Sequence, residues 1–288
     1  MDDDEKARLI LIAAVEGNSK YWTHQVAERG AVDVVDRLTK NGYPGGAHSE
    51  EKIAARVQKL SHEELLDGLG NAFLLTPRSL DWPPQLNNLA APPFALVGLG
   101  ERETLASLTQ SIGIVGTRNP TSYGARVASD FAAKLALQEW SVVSGGAYGI
   151  DSAAHRGALA ANGRTVAVLG GGVRSIFPRG NADLFEQITM RGLLLSEVLP
   201  TVPAAPHRFL IRNRVIAALG RGLLVVEAAA RSGSVRTARD ALELLRPVMA
   251  IPGAIDSPMS EGCHRLINER RAELVSTVEE IVEFLSPL

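Results

Sequence analysis

The sequence predicts an α/β protein in which helices cover both faces of an extended parallel sheet, preceded by a small all-helical domain. Three observations lead to this fold class. Short, strongly apolar runs alternate with amphipathic segments from residue 94 onwards, which is the pattern of a buried parallel sheet. Turns rich in glycine follow several of the apolar runs. The first 70 residues, by contrast, contain segments with helical periodicity.

The predicted helical domain occupies residues 1–80. Its segments are short and amphipathic, and they are Glu5–Val15, Trp22–Arg29, Val32–Thr39, Ser49–Leu60 and His62–Leu69. None carries a recognisable chemical motif, so a nucleic-acid or partner-binding unit and a plain spacer are equally consistent with the sequence. A proline-rich connection over residues 81–93 leads to the sheet domain, residues 94–288.

The sheet domain contains eight candidate strands. They are Phe94–Gly98, Ile112–Gly116, Ser141–Ser144, Thr165–Leu169, Leu193–Ser196, Leu223–Glu227, Val248–Ile251 and Glu273–Val275. Helices are predicted between them, for example over Gly124–Glu139 and Ser152–Ala161. Because strands this apolar are buried on both faces, we expect helices above and below the sheet.

Composition limits the classes of protein that the chain can belong to. Its 288 residues are 45% hydrophobic and 22% charged, as in ordinary globular proteins. A single cysteine, Cys263, excludes an internal disulfide and fits a reducing compartment. No apolar stretch approaches the roughly 20 residues of a membrane span. We therefore expect a cytoplasmic protein that does not enter a membrane.

Arginine is concentrated in one part of the chain. Residues 164–246 contain 12 arginines, six acidic residues and no lysine, although the net charge of the whole chain is −2. Guanidinium groups bind phosphate oxygens in bidentate fashion and stack on bases. A GC-rich genome explains part of this bias, but not its coincidence with the glycine-rich turns.

These turns are built from Gly, Ser, Thr and Arg. Glycine lets the backbone approach a ligand closely, and the helix that follows presents free N–H groups to anions. In an open parallel sheet, such turns lie along one edge. We therefore predict a broad phosphate-binding edge, with the candidates Gly116, Thr117, Ser144, Gly145, Gly146, Gly149, Gly170, Gly171, Gly172, Ser232, Gly233, Ser234 and Thr237.

The arginines next to these turns complete a candidate site. Arg118 ends the first turn, and Phe209 lies among Arg208, Arg212 and Arg214. A basic track interleaved with an aromatic side chain is typical of proteins that bind single-stranded nucleic acid. Phe209 is either a stacking platform for a base or the hydrophobic anchor of a helix, and the residues alone do not decide between the two.

Nucleotide-cofactor and metal chemistry are disfavoured. The first turn, Gly113-Ile-Val-Gly-Thr-Arg, is not Gly-x-Gly-x-x-Gly, and the chain has no Gly-x-x-x-x-Gly-Lys-Ser/Thr. Asp151 and His155 are four residues apart on a predicted helix, but no further ligand accompanies them. We expect His155 to be packed or hydrogen-bonded, and we expect no metal and no cofactor.

No catalytic set is evident. Ser144, Ser232 and Ser234 lack the context of a nucleophile elbow, and Cys263 has no evident partner. Glu227 ends a buried strand and has two interpretations. It is a general acid/base, as in nucleotide-cleaving enzymes of related architecture, or a carboxylate that orients Arg212 or Arg214 through an ion pair. We favour the ion pair, because a buried carboxylate needs a partner.

Taken together, the motifs resemble the DprA/Smf family of DNA-processing proteins over about residues 82–285. The matching blocks are Trp82-Pro-Pro-Gln-Leu, Gly116-Thr-Arg-Asn, Ser144-Gly-Gly-Ala-Tyr-Gly-Ile-Asp-Ser-Ala-Ala-His, Phe177-Pro-Arg-Gly-Asn, Ser196-Glu, Arg212-Asn-Arg-Val-Ile, Val226-Glu-Ala, Arg231-Ser-Gly-Ser-Val-Arg-Thr-Ala, Pro252-Gly and Ser260-Glu-Gly-Cys-His-Arg. So many blocks in one order make a chance similarity improbable.

The resemblance implies an extended Rossmann-like domain that binds and protects single-stranded DNA, forms a homodimer and loads the RecA recombinase during natural transformation, without catalysis. It also implies that Phe209 stacks on a base and that Asn213 belongs to the binding site. The helical N-terminal segment resembles the sterile-alpha-motif-like domain of the family. Two departures are Gly146, where the family often has a bulky residue, and the expected absence of a C-terminal winged-helix domain after Leu288.

The competing hypothesis is a nucleotide-binding sensor or a nucleoside-monophosphate glycosidase of lysine-decarboxylase-like architecture. Such glycosidases resemble this chain in general architecture and carry a Pro-Gly-Gly-x-Gly-Thr-x-x-Glu turn. The corresponding turn here, Arg231-Ser-Gly-Ser-Val-Arg-Thr-Ala, lacks the glutamate and adds arginines.

Overall fold

A computed structural model describes residues 1–40 and 48–286. Five helices come first, close to the predicted positions: α1 Asp3–Ala14, α2 Lys20–Arg29, α3 Ala31–Thr39, α4 His48–Val57 and α5 His62–Leu69. The cap of α1 is Asp2, whose side chain accepts a hydrogen bond from the Glu5 N–H while the Glu5 carboxylate accepts one from the Asp2 N–H. This reciprocal arrangement satisfies donors that would otherwise be orphaned at the start of the helix.

The remaining described helices alternate with strands, as the sequence predicts. They are α6 Ser122–Leu137, α7 Ile150–Ala160, α8 Ala182–Arg191, α9 Pro206–Leu219, α10 Gly233–Glu243, α11 Glu261–Asn268 and α12 Val278–Leu285, with short 3-10 helices at Pro84–Asn88, Arg102–Gln110 and Arg179–Asn181. None of the helices in the described residues is both long and apolar enough to span a bilayer.

Nine strands form one sheet. They are β1 Phe73–Leu75, β2 Leu96–Gly100, β3 Ser111–Val115, β4 Ser141–Ser144, β5 Thr165–Leu169, β6 Leu193–Ser196, β7 Leu223–Val225, β8 Val248–Ala250 and β9 Glu273–Leu274. Their order across the sheet is β1-β2-β6-β5-β4-β3-β7-β8-β9. The α/β fold of Rossmann type is therefore confirmed.

Two strands depart from the predicted all-parallel sheet. The seven strands from β6 to β9 are parallel, but β2 runs antiparallel to β6, and β1 antiparallel to β2. We did not predict β1, which lies inside the region assigned to the helical domain. Three residues are too few to show a period, and β1 is a strand because Leu96–Gly98, more than 20 residues away, supplies its hydrogen-bond partners.

Hydrophobic clusters lie on both faces of the sheet. One face packs against α9, α10 and α11, and the other against α6, α7, α8 and α12. The N-terminal helices share a single buried cluster with residues of β5 and β6, including Leu169 and Leu194. The helical segment is thus packed directly on the second face rather than set apart from the sheet.

The order of the strands defines where a ligand can approach. The chain continues from β3 to β4 on one side, and β7 lies on the other side of β3. At such a switch point the connections leave to opposite faces, so a crevice opens beyond the carboxyl ends of the two strands.

Candidate functional site

A cleft of about 620 Å³ opens at the carboxyl ends of β3 and β7. It is formed by the turn after β3, the start of α10 and the first half of α9. The lining residues are Val115, Gly116, Thr117, Arg118, Ala147, Asp151, Phe177, Pro206, Phe209, Leu210, Arg212, Asn213, Ile216, Ser232, Gly233, Ser234 and Thr237. Ten of the predicted site residues are therefore brought together in one place.

The turn after β3 is fastened on both sides. The Thr117 N–H donates to the Glu227 carbonyl at 2.7 Å, and the Thr117 carbonyl accepts from the Ile150 N–H at 3.1 Å. A side chain at Gly116 would collide with Ile150, which explains the glycine. Arg118 follows and is exposed, and no carboxylate within the described residues lies at salt-bridge distance from it. Its guanidinium is therefore available to an anion.

The start of α10 faces the same cleft. Ser232 caps this helix by accepting a hydrogen bond from the Val235 N–H at 3.3 Å. Gly233 has open space around its α-carbon, and the Thr237 hydroxyl donates to the Gly233 carbonyl at 3.1 Å. The positive end of the helix dipole thus points to the cleft, where negative charge is stabilised.

Arg212 supplies a second, buried guanidinium. It donates to the Val168 carbonyl, and its Nε has no partner within the described structure. Burial lowers the pKa of Arg212 to about 10, against the opposing effect of Asp151. Arg212 is thus charged at neutral pH. Beside it, the Asn213 amide donates weakly to the Gly233 carbonyl at 3.5 Å and ties α9 to the start of α10.

The turn after β4 is directed inwards, contrary to the prediction. The Ser144 hydroxyl donates to the Ile114 carbonyl at 2.6 Å, and the Gly145 N–H donates to the Asp151 carboxylate at 3.2 Å. Gly146 is buried against the Phe185 ring with φ +68°, and Gly149, φ +83°, lies against the Thr117 carbonyl. Because Asp151 already occupies the turn, these residues shape the cleft instead of lining it.

The turn after β5 also differs from the prediction. Gly171 and Gly172 are buried against the segment that leads into α9, and Gly170 is buried against Phe209 in the first turn of that helix. The Gly172 N–H donates to the Val202 carbonyl at 2.8 Å, and the Gly171 carbonyl accepts from the Ser196 hydroxyl at 2.8 Å. Glycine is required here for close packing, and the turn does not reach the cleft.

Two of the predicted arginines are already paired. Arg208 donates to the carboxylate of Glu16 at 2.6 and 3.0 Å and to the Pro203 carbonyl. Arg214 is buried, pairs with Glu197 and donates to the Ala91 carbonyl at 2.8 Å. Neither lines the cleft, since carboxylates from distant parts of the chain hold both guanidinium groups away from it.

Phe209 is joined by an aromatic residue that we did not predict as part of the site. Phe177 lines the cleft and is half exposed, and its ring centroid lies 5.5 Å from that of Phe209. In the sequence, Phe177 appeared only in the Phe177-Pro-Arg-Gly-Asn block that resembles the family. Unlike Phe209, it does not lie among several arginines, so it was not predicted as a stacking residue. The Arg118 guanidinium lies over the Phe209 ring, 5.4 Å from its centroid.

Glu227 does not orient an arginine, contrary to the interpretation that we favoured. Its carboxylate accepts from the Thr121 N–H at 2.9 Å and from the Thr121 hydroxyl at 2.6 Å. Thr121 is the cap of α6. The buried carboxylate is therefore satisfied at the start of a helix, where negative charge is favourable, and it lines a neighbouring cleft of about 440 Å³.

His155 is packed and hydrogen-bonded, as predicted. It is fully buried, and its Nδ1 lies 2.7 Å from the Thr165 hydroxyl oxygen. Burial lowers its pKa to about 3. Over residues 1–40 and 48–286, no three His, Cys, Asp or Glu side chains are grouped to hold a metal ion.

Comparison with known proteins identifies the family. The model of the family described as DNA recombination-mediator protein A matches residues 73–286. The chain belongs to the DprA/Smf family. The family match begins at Phe73, the first residue of β1, so the strand that we did not predict lies within the matched region.

Named relatives support this membership. The chain is 40% identical over 269 residues to a putative DNA processing protein DprA from Mycobacterium tuberculosis, covering 89% of this chain and 68% of the relative. It is 39% identical to the DNA processing protein DprA of Bacillus subtilis, over 72% of this chain and 69% of the relative. Protein Smf of Escherichia coli is 44% identical over 75% of this chain and 57% of its own length.

Two solved DprA structures share the fold. The DprA of Streptococcus pneumoniae superposes with a TM-score of 0.84 at 29% identity, covering 100% of this chain and 99% of that one. A DNA processing protein A from Helicobacter pylori superposes with a TM-score of 0.66 at 28% identity, covering 74% and 95%. The Helicobacter protein was described for its unique single-stranded DNA binding mode.

Proposed function

We propose that this DprA/Smf protein is a non-enzymatic, cytoplasmic binder of single-stranded DNA that protects the strand and delivers it to the RecA recombinase during recombination and natural transformation. The observation that carries the proposal is the cleft, where Arg118, Arg212, the start of α10 and two aromatic rings face one space. In a single strand, the phosphates bind to positive charge and the unpaired bases stack on aromatic rings, and the cleft offers both.

The charges of the cleft suit phosphates. Arg118 is exposed and free of acidic partners among the described residues, and the N-terminus of α10 adds the partial positive charge of its dipole. Arg208 and Arg214 are left out of this proposal, since Glu16 and Glu197 already neutralise them.

The partners rest on the family and on the surface of the fold. The family is described as a DNA recombination mediator, which supports a recombinase as the recipient of the strand. A homodimer is supported by the edge of the sheet at β9, where no strand among the described residues pairs with the outer side and where Leu274 and, on α12, Phe284 are about half exposed.

A salt titration tests the proposed DNA contact. Fluorescence anisotropy of labelled oligo-dT, with a duplex of equal length for comparison, is measured at several salt concentrations. We expect tighter binding of the single strand, and a log–log slope near about −0.7 for each phosphate contacted. A response that does not change with salt would contradict the proposal.

Replacing Arg118 by alanine tests the charge that the cleft presents. We expect Arg118→Ala to weaken binding to oligonucleotides of every sequence alike and to make the salt slope shallower by about 0.7. Arg156→Ala is the matched control, because Arg156 is an exposed arginine on α7 that lies outside the cleft. Loss of binding to some sequences only would argue against a phosphate contact.

The competing nucleotide-cleaving function needs a free carboxylate in the ligand cleft. Glu227, its candidate residue, lines the neighbouring cleft and is held by Thr121. Incubation with nucleoside monophosphates, with Glu227→Gln as control, tests this directly. Release of free base by the native protein but not by the variant would replace the DNA-binding proposal with an enzymatic one.

A further inference from the structure

The two aromatic rings of the cleft differ in how much of their surface is available. Phe209 is partly buried and is contacted by Phe177 and by the Arg118 guanidinium. A β-carbon on Gly170 would lie 2.8 Å from its ring, so the backbone closes a further side. Phe177 is 50% exposed and meets Phe209 at an interplanar angle of 47°. The free aromatic surface of the cleft therefore belongs mainly to Phe177.

The segment that carries Phe177 is held in place by the turn after β4. The Gly180 N–H donates to the Tyr148 hydroxyl at 3.2 Å. The Asn181 amide donates to the Gly146 carbonyl at 3.0 Å and to the Ser152 hydroxyl at 2.8 Å. A ring that is positioned before binding loses little conformational entropy when a ligand stacks on it.

We propose that Phe177 is a stacking platform for one unpaired nucleobase, and that Phe209 supports it from behind. This inference rests on the proposed binding of single-stranded DNA and assigns the contact to a specific ring. The base lies on the exposed face of Phe177 while the adjoining phosphate approaches Arg118, which already lies over the Phe209 ring. Every base has a π-face, so the contact does not depend on sequence.

Oligonucleotides with and without bases separate this contact from phosphate binding. Binding of oligo-dT and of an abasic strand of equal length is measured for the native protein, Phe177→Leu and Phe177→Tyr. Leucine retains apolar contact with Phe209 but removes the ring, whereas tyrosine retains the ring. We expect Phe177→Leu to bind oligo-dT about fivefold or more weakly, the lower end of one base–aromatic contact. Phe177→Tyr should bind as the native protein does, and all three should bind the abasic strand equally.

The pattern of losses distinguishes the possible failures. If Phe177→Leu binds oligo-dT like the native protein, or weakens binding to the abasic strand by the same factor, Phe177 does not stack on a base. In that event, a salt-dependent loss in Arg118→Ala would leave the proposed function standing. If the native protein binds neither strand, the proposed function itself fails.

An indole at this position gives a direct optical signal. The three tryptophans of the chain, Trp22, Trp82 and Trp140, are all buried, so Phe177→Trp adds one exposed indole to a constant background. We expect oligo-dT to quench the added emission and the abasic strand to leave it unchanged. Equal quenching by both strands, or none by either at saturation, would overturn the assignment of Phe177.

Discussion

At the scale of single residues, the site is decided by which side chains already have partners. Arg118 and Arg208 are both exposed enough to meet a ligand, yet Arg208 is neutralised by Glu16 and Arg118 is not paired with any described carboxylate. Asp151 lowers the number of free donors, because its carboxylate accepts hydrogen bonds from the N–H groups of Gly145 and Ala147. Burial raises the pKa of Asp151, and burial lowers the pKa of Arg212 to about 10, so Arg212 remains charged at neutral pH.

His155 gives a prediction about pH. Its pKa in the folded state is about 3, below the ordinary value of about 6.5 in an unfolded chain. The unfolded state therefore binds the proton more readily, so stability is complete above pH 6.5 and decreases as pH falls towards 3. Between about pH 7 and about pH 5 this residue should cost about 2 kcal/mol of unfolding free energy.

The measurement is urea denaturation of the native protein and of His155→Asn at both pH values. Asparagine retains a donor for the Thr165 hydroxyl but does not titrate, so the variant should lose less stability on acidification. Equal losses in the two proteins would show that His155 does not control the acid response.

At the scale of secondary structure, helix α9 is the element on which the site depends. Its residues Phe209 and Arg212 line the cleft. Two ion pairs hold the helix to other segments, namely Arg208 with Glu16 and Arg214 with Glu197. The first pair links the start of α9 to the loop after α1, and hydrogen bonding with Arg208 lowers the pKa of Glu16. The N-terminal helices therefore help to set the position of the cleft.

We expect the Glu16–Arg208 pair to be weakly coupled. A double-mutant cycle with Glu16→Gln and Arg208→Gln, measured by urea denaturation, should give a coupling free energy of up to about 1 kcal/mol, because both groups are partly exposed. Arg208→Gln should also change the salt slope of DNA binding less than Arg118→Ala. A slope change as large as that of Arg118→Ala would mean that Arg208 leaves Glu16 to contact phosphate.

At the scale of the whole molecule, the sheet has two different edges. At one end, β2 runs antiparallel to β6 and β1 runs antiparallel to β2. At the other end is the two-residue strand β9, and no other strand among the described residues pairs with its outer side. Unpaired strand edges with exposed apolar side chains favour association with another chain.

The proposed homodimer is tested at this edge. We expect sedimentation of the native protein to give the mass of a dimer and Leu274→Arg to shift it towards the monomer, because a buried, unpaired charge opposes association. Leu80→Arg is the control, since Leu80 is fully exposed and lies outside the elements of this edge. A native protein that stays monomeric at every concentration would refute the dimer.

Much of the fold could be predicted from local patterns. The predicted strands Ser141–Ser144, Thr165–Leu169 and Leu193–Ser196 have the observed bounds, and the other five lie within two residues of theirs. Apolar runs and helical periods are local properties of a sequence. Because most of the strands are buried on both faces, their apolar runs are continuous and easily recognised. The strand Phe73–Leu75 was not predicted, because its extended conformation depends on pairing with residues 96–98, more than 20 positions later in the chain.

The α/β class, the family motifs and the kinds of residue available to bind an anion all follow from local patterns in the chain. Which of these residues reach the cleft depends on how distant segments pack together. Arg118, Arg208 and Arg214 are alike in the sequence, but Glu16 and Glu197 arrive from distant segments to pair with two of them. Packing likewise buries the glycines after β5 away from the cleft and places the ring of Phe177 in it. Local patterns report period and polarity, whereas the availability of a charge or a ring depends on long-range contacts that no local pattern contains.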